Sequence, residues 1–263
     1  MPNFRNLIVI ILSIMVFALP SAFKKDDDAL KPAEFVAHGA GGIAGERITN
    51  SLEALEKNYD RGFRFFEVDV EKTTDGKYIL LHDWGRLKWL YNTDPGPCNL
   101  QEFLSCKMTK GLTQLTLDGL MRWMQGHPGA YVIIDTKSDN LNVYKYIKDK
   151  HSGISSRIIP QIMSFEEYPE LERMGYKHII LTLYRKNYTA DQILEFEKNH
   201  PLFAVTMYKD KAKTELPAGL KQRNIFLYVH TINDPDEVKD FRKVGIDGFY
   251  TDFLSPDGSG VSK

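Results

Sequence analysis

Short apolar runs alternate with amphipathic segments along the chain from residue 34 onwards. The runs are rich in Val, Ile and aromatic residues, a composition that favours buried strands. We interpret nine of them as strands, over residues 34–38, 63–70, 78–82, 131–135, 157–163, 178–183, 203–207, 225–230 and 248–251. Strands that alternate with helices predict an α/β fold with a parallel sheet. No linker rich in Pro or Ser divides this region, so we predict a single domain over 34–263.

Signals for helix N-termini stand between the runs. Three pair a polar residue with Glu or Gln three positions later, as in a capping box: Asn50 with Glu53, Ser164 with Glu167, and Thr189 with Gln192. A fourth signal, Asp234-Pro235, combines an N-cap with a first-turn proline. These signals support helices between the strands.

The third run returns antiparallel to the second. Only seven residues separate position 70 from position 78, and they include Asp75-Gly76. This is too short for a parallel crossover. A turn centred near 75.5 places His82 opposite Asp69. With this hairpin arm set aside, eight parallel runs remain, which predicts a (β/α)8 TIM barrel whose chemistry lies at the carboxyl ends of the strands.

The composition excludes several classes of protein. The 263 residues are 43% hydrophobic and 26% charged, which excludes a disordered chain and a small disulfide scaffold. Lys and Arg number 34 against 35 Asp and Glu. Without a basic surplus, we do not expect nucleic acid as a partner.

The amino end has the pattern of a secretory signal. Arg5 precedes an apolar run over 7–19, and a polar stretch follows. As a helix the run would rise about 20 Å, less than the roughly 30 Å of a bilayer core. We predict export with 1–22 as the signal and 23–33 as a linker. The alternative is an uncleaved anchor that associates with the membrane, because Pro20 stands where a cleavage site prefers a small residue.

Two cysteines, Cys98 and Cys106, lie in one stretch of the chain. In an oxidising compartment they form a local disulfide or remain free, and the sequence leaves both outcomes open. No second thiol pair or nucleophile context accompanies them, so we assign them no catalytic role.

Ionisable residues gather at the predicted strand ends. His38 ends the first run, Glu67 and Asp69 share one face of the second, and His82 ends the returning arm. Asp135 stands at the end of the fourth run, two positions before Lys137. Like charges this close need a cation, and ligation by oxygen alone favours Mg²⁺ or Ca²⁺.

Such a rim suits the cleavage of a phosphodiester. Lys137 and the cation would stabilise charge on the phosphoryl oxygens, while one histidine acts as general base and the other as general acid. His230 ends the seventh parallel run and is a candidate for the substrate pocket. The structural alternatives are ion pairs of Glu67 and Asp69 with neighbouring cations, and exposed or capping roles for Lys137 and Asn50.

Six segments of the chain carry a wider pattern: VAHG at 36–39, TNSLEAL at 49–55, FFEVDVEKTTDGKYILLHDW at 65–84, LTLDGLM at 115–121, IIDTK at 133–137 and GIDGFYTD at 245–252. Through these segments the chain resembles the glycerophosphodiester phosphodiesterase family, within the phosphatidylinositol-phospholipase-C-like barrels. The resemblance implies a TIM barrel in which His38 and His82 are the acid–base pair. It also implies Glu67, Asp69 and Asp135 as metal ligands and places Lys137 near the phosphate.

Three departures indicate a divergent subgroup. Gly39 stands where the family usually has Arg, and Ile48-Thr49-Asn50-Ser51 stands for Pro-Glu-Asn-Thr. The third ligand is Asp135 rather than Glu. Arg47, close in sequence, is a candidate for the missing guanidinium, and Asn50 is a candidate for substrate binding.

We therefore expect an exported, metal-dependent phosphodiesterase acting on glycerophosphodiesters or on related phospholipid-derived or wall-polymer phosphodiesters. One alternative is a phospholipase of the C or D type on intact lipid, for which Trp84, Trp89 and Tyr91 are candidate rim residues. The other alternative is a noncatalytic barrel that binds a phosphoryl ligand.

Overall fold

The computed structural model describes residues 30–260 apart from 92, 94, 95, 137 and 138. The predicted signal or anchor at 1–22 and the candidate Lys137 lie outside the described residues. Among the described residues, no helix combines the length and the apolar character needed to cross a bilayer.

Eight parallel strands close into a barrel. With the hairpin arm, the described strands are β1 (Phe35–Ala37), β2 (Phe65–Lys72), β3 (Tyr78–Leu80), β4 (Tyr131–Thr136), β5 (Ile158–Ile162), β6 (Ile180–Thr182), β7 (Ala204–Tyr208), β8 (Leu227–His230) and β9 (Gly248–Thr251). The parallel strands pair around the ring in the order β1, β2, β4, β5, β6, β7, β8 and β9, and β9 pairs with β1. The predicted TIM barrel is confirmed.

The hairpin arm β3 pairs antiparallel with β2, as predicted, but the predicted register was wrong by one residue. Val70 pairs with Leu80, and the amide of Leu81 donates to the carbonyl of Asp69 at 3.1 Å. Leu81, rather than His82, therefore stands opposite Asp69. The cause is a three-residue loop with Gly76 at φ 78° in place of a two-residue turn.

Helices connect most of the strands on the outside of the barrel. They are α1 (Leu52–Asp60), α2 (Leu87–Leu90), α3 (Leu100–Ser105), α4 (Leu117–Gly126), α5 (Asn140–Lys150), α6 (Tyr168–Arg173), α7 (Ala190–Glu197), α8 (Lys209–Ala212), α9 (Leu216–Leu220) and α10 (Pro235–Lys243). The boxes at Ser164 and Thr189 and the cap at Asp234 are confirmed. The box at Asn50 was wrong, because Ser51 caps α1.

Alternation along the strands separates two layers of side chains. On β2, Phe66, Val68 and Val70 belong to the core between barrel and helices, so Glu67 and Asp69 face the barrel interior. The same alternation turns one residue in two of each parallel strand inward. The carboxyl ends of the strands thus present their inward side chains to one rim.

A segment between β3 and α4 builds a second, smaller core. It contains α2 and α3 and packs Phe103, Leu90 and Tyr91 against the outer face of the hairpin arm. Cys98 and Cys106 are buried free thiols in this core.

Candidate active site

Three buried carboxylates face one another at the carboxyl end of the barrel. Glu67 and Asp69 come from β2 and Asp135 from β4, and each is at most 3% exposed. Asp69 pairs with Asp135 in the parallel ladder, so their side chains leave neighbouring strands at the same level. One ligand oxygen from each residue lies within 4.8 Å of the other two.

The electrostatics of this cluster fit a divalent cation. Burial, together with the charges of Asp69 and Asp135, raises the pKa of Glu67 to about 8, although His38 opposes the rise. A raised carboxyl pKa marks negative charge that the protein itself does not offset. An all-oxygen donor set suits a hard cation such as Mg²⁺ or Ca²⁺. The residues present therefore fit the metal that the sequence predicts.

Gly39 connects this cluster to the first strand. Its amide donates to Glu67 Oε2 at 2.8 Å, and its φ is +56°. A Cβ atom on residue 39 would lie 2.4 Å from the Cα of Ile48. No larger residue fits this backbone, so the departure at position 39 belongs to a local fold that excludes a side chain.

His38 is held by a residue 214 positions away. Its Nδ1 donates to Asp252 Oδ1 at 2.8 Å, and the side chain of Asp252 is 2% exposed. Asn233 fixes Asp252 in turn: Nδ2 of Asn233 donates to Oδ2 of Asp252 at 2.8 Å, and its Oδ1 accepts from the amide of Asp252 at 2.8 Å. With Nδ1 engaged, Nε2 of His38 is the nitrogen left for chemistry.

The charges around His38 favour its protonated form. Burial disfavours the imidazolium, but the hydrogen bond to Asp252 and the charges of Glu67, Asp252 and Asp69 outweigh it and raise the pKa of His38 to about 9. Burial likewise opposes ionisation of Asp252. Hydrogen bonds from His38 and Asn233, with the charges of His38 and Arg47, nevertheless keep the pKa of Asp252 below its usual range.

His82 has a local partner. Its Nδ1 donates to Asp83 Oδ2 at 2.5 Å, and Arg86 Nε lies 3.6 Å from the same oxygen. The side chains of His82 and Asp83 are 30% and 49% exposed. His82 therefore stands on the solvent side of the rim, one residue beyond the ladder partner of Asp69.

Asn50 forms two hydrogen bonds with Asp69, a candidate metal ligand. Its Nδ2 donates to Asp69 Oδ2 at 2.9 Å, and its Oδ1 accepts from the amide of Asp69 at 3.0 Å. The residue takes a positive φ of 50° to do so. Asn50 thus orients Asp69, and the capping alternative is wrong.

The other candidates lie around the same rim. His230 ends β8 and is 7% exposed, with its ring packed on Tyr184 and Tyr208. Arg47 is exposed, and its charge contributes to lowering the pKa of Asp252. Asp252 is a residue that the reasoning from sequence missed. Its signal was its place at the carboxyl end of the last predicted strand, level with His38 on the first.

Comparison with known proteins finds a family match for part of the chain. Residues 41–122 match the model of the glycerophosphoryl diester phosphodiesterase family, a stretch that includes Glu67, Asp69 and His82. Over these residues the chain is similar to the glycerophosphodiester phosphodiesterase family. The match indicates an enzyme of the phosphoric diester hydrolase class and favours it over the alternative of a noncatalytic barrel.

Solved structures of glycerophosphodiester phosphodiesterases share the fold. The enzyme from Thermotoga maritima is 20% identical with a TM-score of 0.66, covering 84% of this chain and 95% of its own. A putative one from Galdieria sulphuraria is 15% identical with a TM-score of 0.68, covering 87% and 96%. A phosphodiesterase from Oleispira antarctica, solved with the product sn-glycerol-3-phosphate, is 14% identical with a TM-score of 0.66, covering 84% and 93%.

The family match leaves part of the site outside its bounds. His38 precedes residue 41, whereas Asp135 and Asp252 follow residue 122. In this barrel these positions are brought together because β1 and β4 flank β2 and β9 flanks β1. The fold, rather than the matched segment, joins them to Glu67 and Asp69.

Proposed function

We propose that this protein is an exported, divalent-metal-dependent phosphodiesterase. It hydrolyses glycerophosphodiesters, or related phospholipid-derived or wall-polymer phosphodiesters, to an alcohol and a phosphomonoester. The observation that carries the proposal is the buried carboxylate cluster of Glu67, Asp69 and Asp135, with the supported imidazole of His38 beside it. The apolar run at 7–19 supports export.

Glu67, Asp69 and Asp135 would hold the metal. A bound divalent cation, Mg²⁺ or Ca²⁺, supplies Lewis acidity toward the phosphoryl oxygens. Asn50 keeps the carboxylate of Asp69 in one orientation, and the amide of Gly39 does the same for Glu67. These two hydrogen bonds fix the ligand oxygens before any cation or substrate arrives.

The two histidines divide the proton transfers. The hydrogen bond from His38 Nδ1 to Asp252 favours the protonated imidazole, so His38 donates to the leaving alkoxide oxygen. His82, half-exposed on the solvent side, accepts the proton of the attacking hydroxyl or water. The nucleophile forms a new P–O bond as the ester P–O bond breaks, and the alcohol leaves with the proton from His38.

Arg47 assists in binding the phosphate. The backbone at Gly39 has no room for the Arg side chain that the family usually places there. Arg47 lies in the loop that follows, and its charge helps to lower the pKa of Asp252, the partner of His38. Lys137, two positions after Asp135, is a second cation for the phosphoryl group.

Phosphorus NMR of a mixed phosphodiester panel tests the function. We expect phosphomonoester products with Mg²⁺ or Ca²⁺ and no turnover in excess EDTA. A cyclic phosphate signal would show that a substrate hydroxyl attacks first. Asp135→Asn should abolish turnover, while the exposed Asp149→Asn on α5 should leave it unchanged. Full activity of the EDTA-treated protein would refute metal dependence.

A phospholipase that acts on intact lipid is the second candidate. Trp89 is 71% exposed on α2, close after His82 in the chain. Of the other two candidates, Tyr91 is buried and Trp84 packs on Phe103. Faster cleavage of vesicle lipid than of soluble glycerophosphocholine, lost in Trp89→Ala, would favour this function.

A further inference from the structure

Four polar side chains lie at one level of the barrel interior, and we term them the polar layer: Glu67, Gln161, Thr206 and Tyr250. Inward side chains of a (β/α)8 barrel stack in layers of four, and each layer is contributed by alternate strands. The polar layer belongs to β2, β5, β7 and β9, which alternate around the ring. Branched aliphatic side chains dominate such layers in most barrels, so a layer of four polar groups calls for a reason.

The strand register places the four residues at this one level. The level shifts by about one residue from each strand to the next, and therefore by about two residues between alternate strands. The ladder through β6 leads from Gln161 to the residue two positions before Thr206, and the ladder through β8 leads from Thr206 to the residue two positions before Tyr250. The ladders through β1 and β4 give the same offset from Tyr250 to Glu67 and from Glu67 to Gln161. The four offsets close the ring.

A hydrogen bond across the interior joins two members of the layer. Tyr250 Oη donates to Gln161 Oε1 at 3.1 Å, and each residue is 1% exposed. Because β5 and β9 lie on opposite sides of the ring, this bond spans the barrel. It engages the amide oxygen of Gln161 and leaves Nε2 as a donor to be satisfied.

Two buried groups of the layer lack a hydrogen-bond partner within the part of the chain that the structure describes: Nε2 of Gln161 and Oγ1 of Thr206. Thr206 is fully buried, so bulk solvent does not reach its hydroxyl. Buried polar groups in folded proteins pair with protein atoms or with ordered water, and a buried water makes about three hydrogen bonds. An amide donor and a hydroxyl at one level supply two of these three.

The carboxylate of Glu67 is the acceptor at the same level. It lies across the ring from Thr206, since β2 and β7 face each other. An ionised carboxylate has about four acceptor positions, and the amide of Gly39 uses one of them on Oε2. Burial raises the pKa of Tyr250, and the charge of Glu67 adds to the rise, as expected for groups at one level. A water in the layer would therefore find its third partner in Glu67.

The polar character stops at this level. Two positions earlier on the same four strands, the inward residues are apolar or lack a side chain: Phe65, Ile159, Ala204 and Gly248. Ala204, the residue below Thr206, carries only a methyl group, which favours room for a small molecule beside the hydroxyl. The unsatisfied groups thus accompany the carboxylate and not the interior as a whole.

We propose that Gln161 and Thr206 hold an ordered water against the carboxylate of Glu67, and that both are positioning residues for this metal ligand. The water accepts from Nε2 of Gln161 and donates to Glu67, and the hydroxyl of Thr206 is its third partner. It fixes the carboxylate from the barrel interior, as the amide of Gly39 does from the first strand. The inference rests on the proposed function, because it takes Glu67 to be a ligand of the divalent cation.

Magnetic relaxation dispersion of water tests the site without metal, because it counts long-lived internal waters in solution. The full chain in EDTA is compared with Thr206→Val, which keeps the shape of the side chain and removes its hydroxyl. We expect Thr206→Val to lose one long-lived water and Thr206→Ser to keep it. The matched control is Thr136→Val, which removes a buried hydroxyl that donates to Asn140 on the outer side of β4 and should leave the count unchanged.

Calorimetric titration of Mg²⁺ and of Ca²⁺ tests the positioning role. Loss of a group that supports a metal ligand costs about 10- to 100-fold in affinity, so Gln161→Met and Thr206→Val should each weaken binding about 10-fold. Thr206→Ser should bind as the unsubstituted chain does, and so should Thr136→Val. Residues that only supported the fold would lower the melting temperature without this change in metal affinity.

Two results would overturn the inference: a water count that Thr206→Val does not change, or a metal affinity that neither Gln161→Met nor Thr206→Val lowers. Metal-dependent hydrolysis together with either result loses only this inference and keeps the proposed function. A full chain that binds neither cation loses the metal dependence of the proposed function and the positioning role with it, whereas the water count still decides the water site.

Discussion

Both histidines of the rim donate a hydrogen bond from Nδ1 to an aspartate, but the two aspartates come from different parts of the chain. His38 is buried, and its partner Asp252 comes from the far end of the chain with Asn233 behind it. Burial and three neighbouring carboxylates act on it together. His82 takes its partner from the next residue, and both side chains remain partly in water.

The closed barrel therefore positions His38, whereas a local contact between neighbouring residues positions His82. The His38–Asp252 pair forms only when β1 and β9 lie side by side, so folding and the orientation of this imidazole are one event. The His82–Asp83 pair needs no tertiary closure. We therefore expect the first pair to be rigid and sensitive to substitution, and the second to be tolerant.

The largest expected effects come from the histidines themselves. His38→Ala and His82→Ala should each lower turnover of a glycerophosphodiester by about 10² to 10⁴, the contribution of a positioned acid or base. An activated ester with a p-nitrophenol leaving group needs no protonation. On that ester His38→Ala should recover most of its loss, whereas His82→Ala should not.

The unactivated ester serves as the internal control for both variants in the same steady-state assay. Recovery of His82→Ala and not of His38→Ala would reverse the assignment of acid and base. Equal recovery of both variants would contradict the assignment of different proton-transfer roles to the two histidines.

The partner aspartates come next. Asp252→Asn should lower kcat about 10²-fold, because a carboxylate that fixes the His38 imidazole in a buried site is lost. Asp83→Asn should cost less than about 5-fold, since water can replace an exposed acceptor. Both variants should show folded circular dichroism spectra. A loss for Asp83→Asn as large as that for Asp252→Asn would contradict the distinction.

The fold followed from the sequence because strand periodicity and connection length constrain it strongly. All nine predicted strands are present, and the short 71–77 connection identified the arm that the barrel does not use. The register of that arm required the number of residues in its turn. Counting sequence positions cannot distinguish a two-residue turn from the three-residue loop ending in Gly76.

The sequence predicted the residues of the candidate site less completely than it predicted the fold. The three carboxylates that the sequence singled out lie together, and His38 and His230 stand at the ends of β1 and β8, as predicted. Lys137 lies outside the described residues. Asp252 was not assigned, because a contact across 214 positions depends on closure of the ring. Asn50 was assigned to a cap or a substrate, although its positive φ directs it to Asp69 instead.

Substitution of the residues that contact the two aspartates should lower turnover less than substitution of the aspartates themselves. Asn233→Ala removes the donor to Asp252 and the acceptor for its amide, so we expect about a 10-fold loss of kcat with little change of KM. Arg86→Ala breaks only a 3.6 Å pair with an exposed carboxylate and should stay within about 2-fold. Steady-state kinetics on one substrate measure both, and a greater loss for Arg86→Ala would overturn the comparison.

The last expected effect is on the stability of the metal-free protein as a function of pH. The folded pKa values of Glu67 and His38, about 8 and about 9, both exceed their unfolded values. The native state therefore binds more protons than the unfolded state, and the free energy of unfolding falls as the pH rises. The loss begins above the unfolded pKa of Glu67, near 4.5, and is complete above about 9. Thermal unfolding in EDTA from pH 5 to 9 should show this decline, Glu67→Gln should flatten it, and Mg²⁺ or Ca²⁺ should restore stability chiefly at the alkaline end. An undiminished decline in Glu67→Gln would contradict the assignment of this pH dependence to the carboxylate cluster.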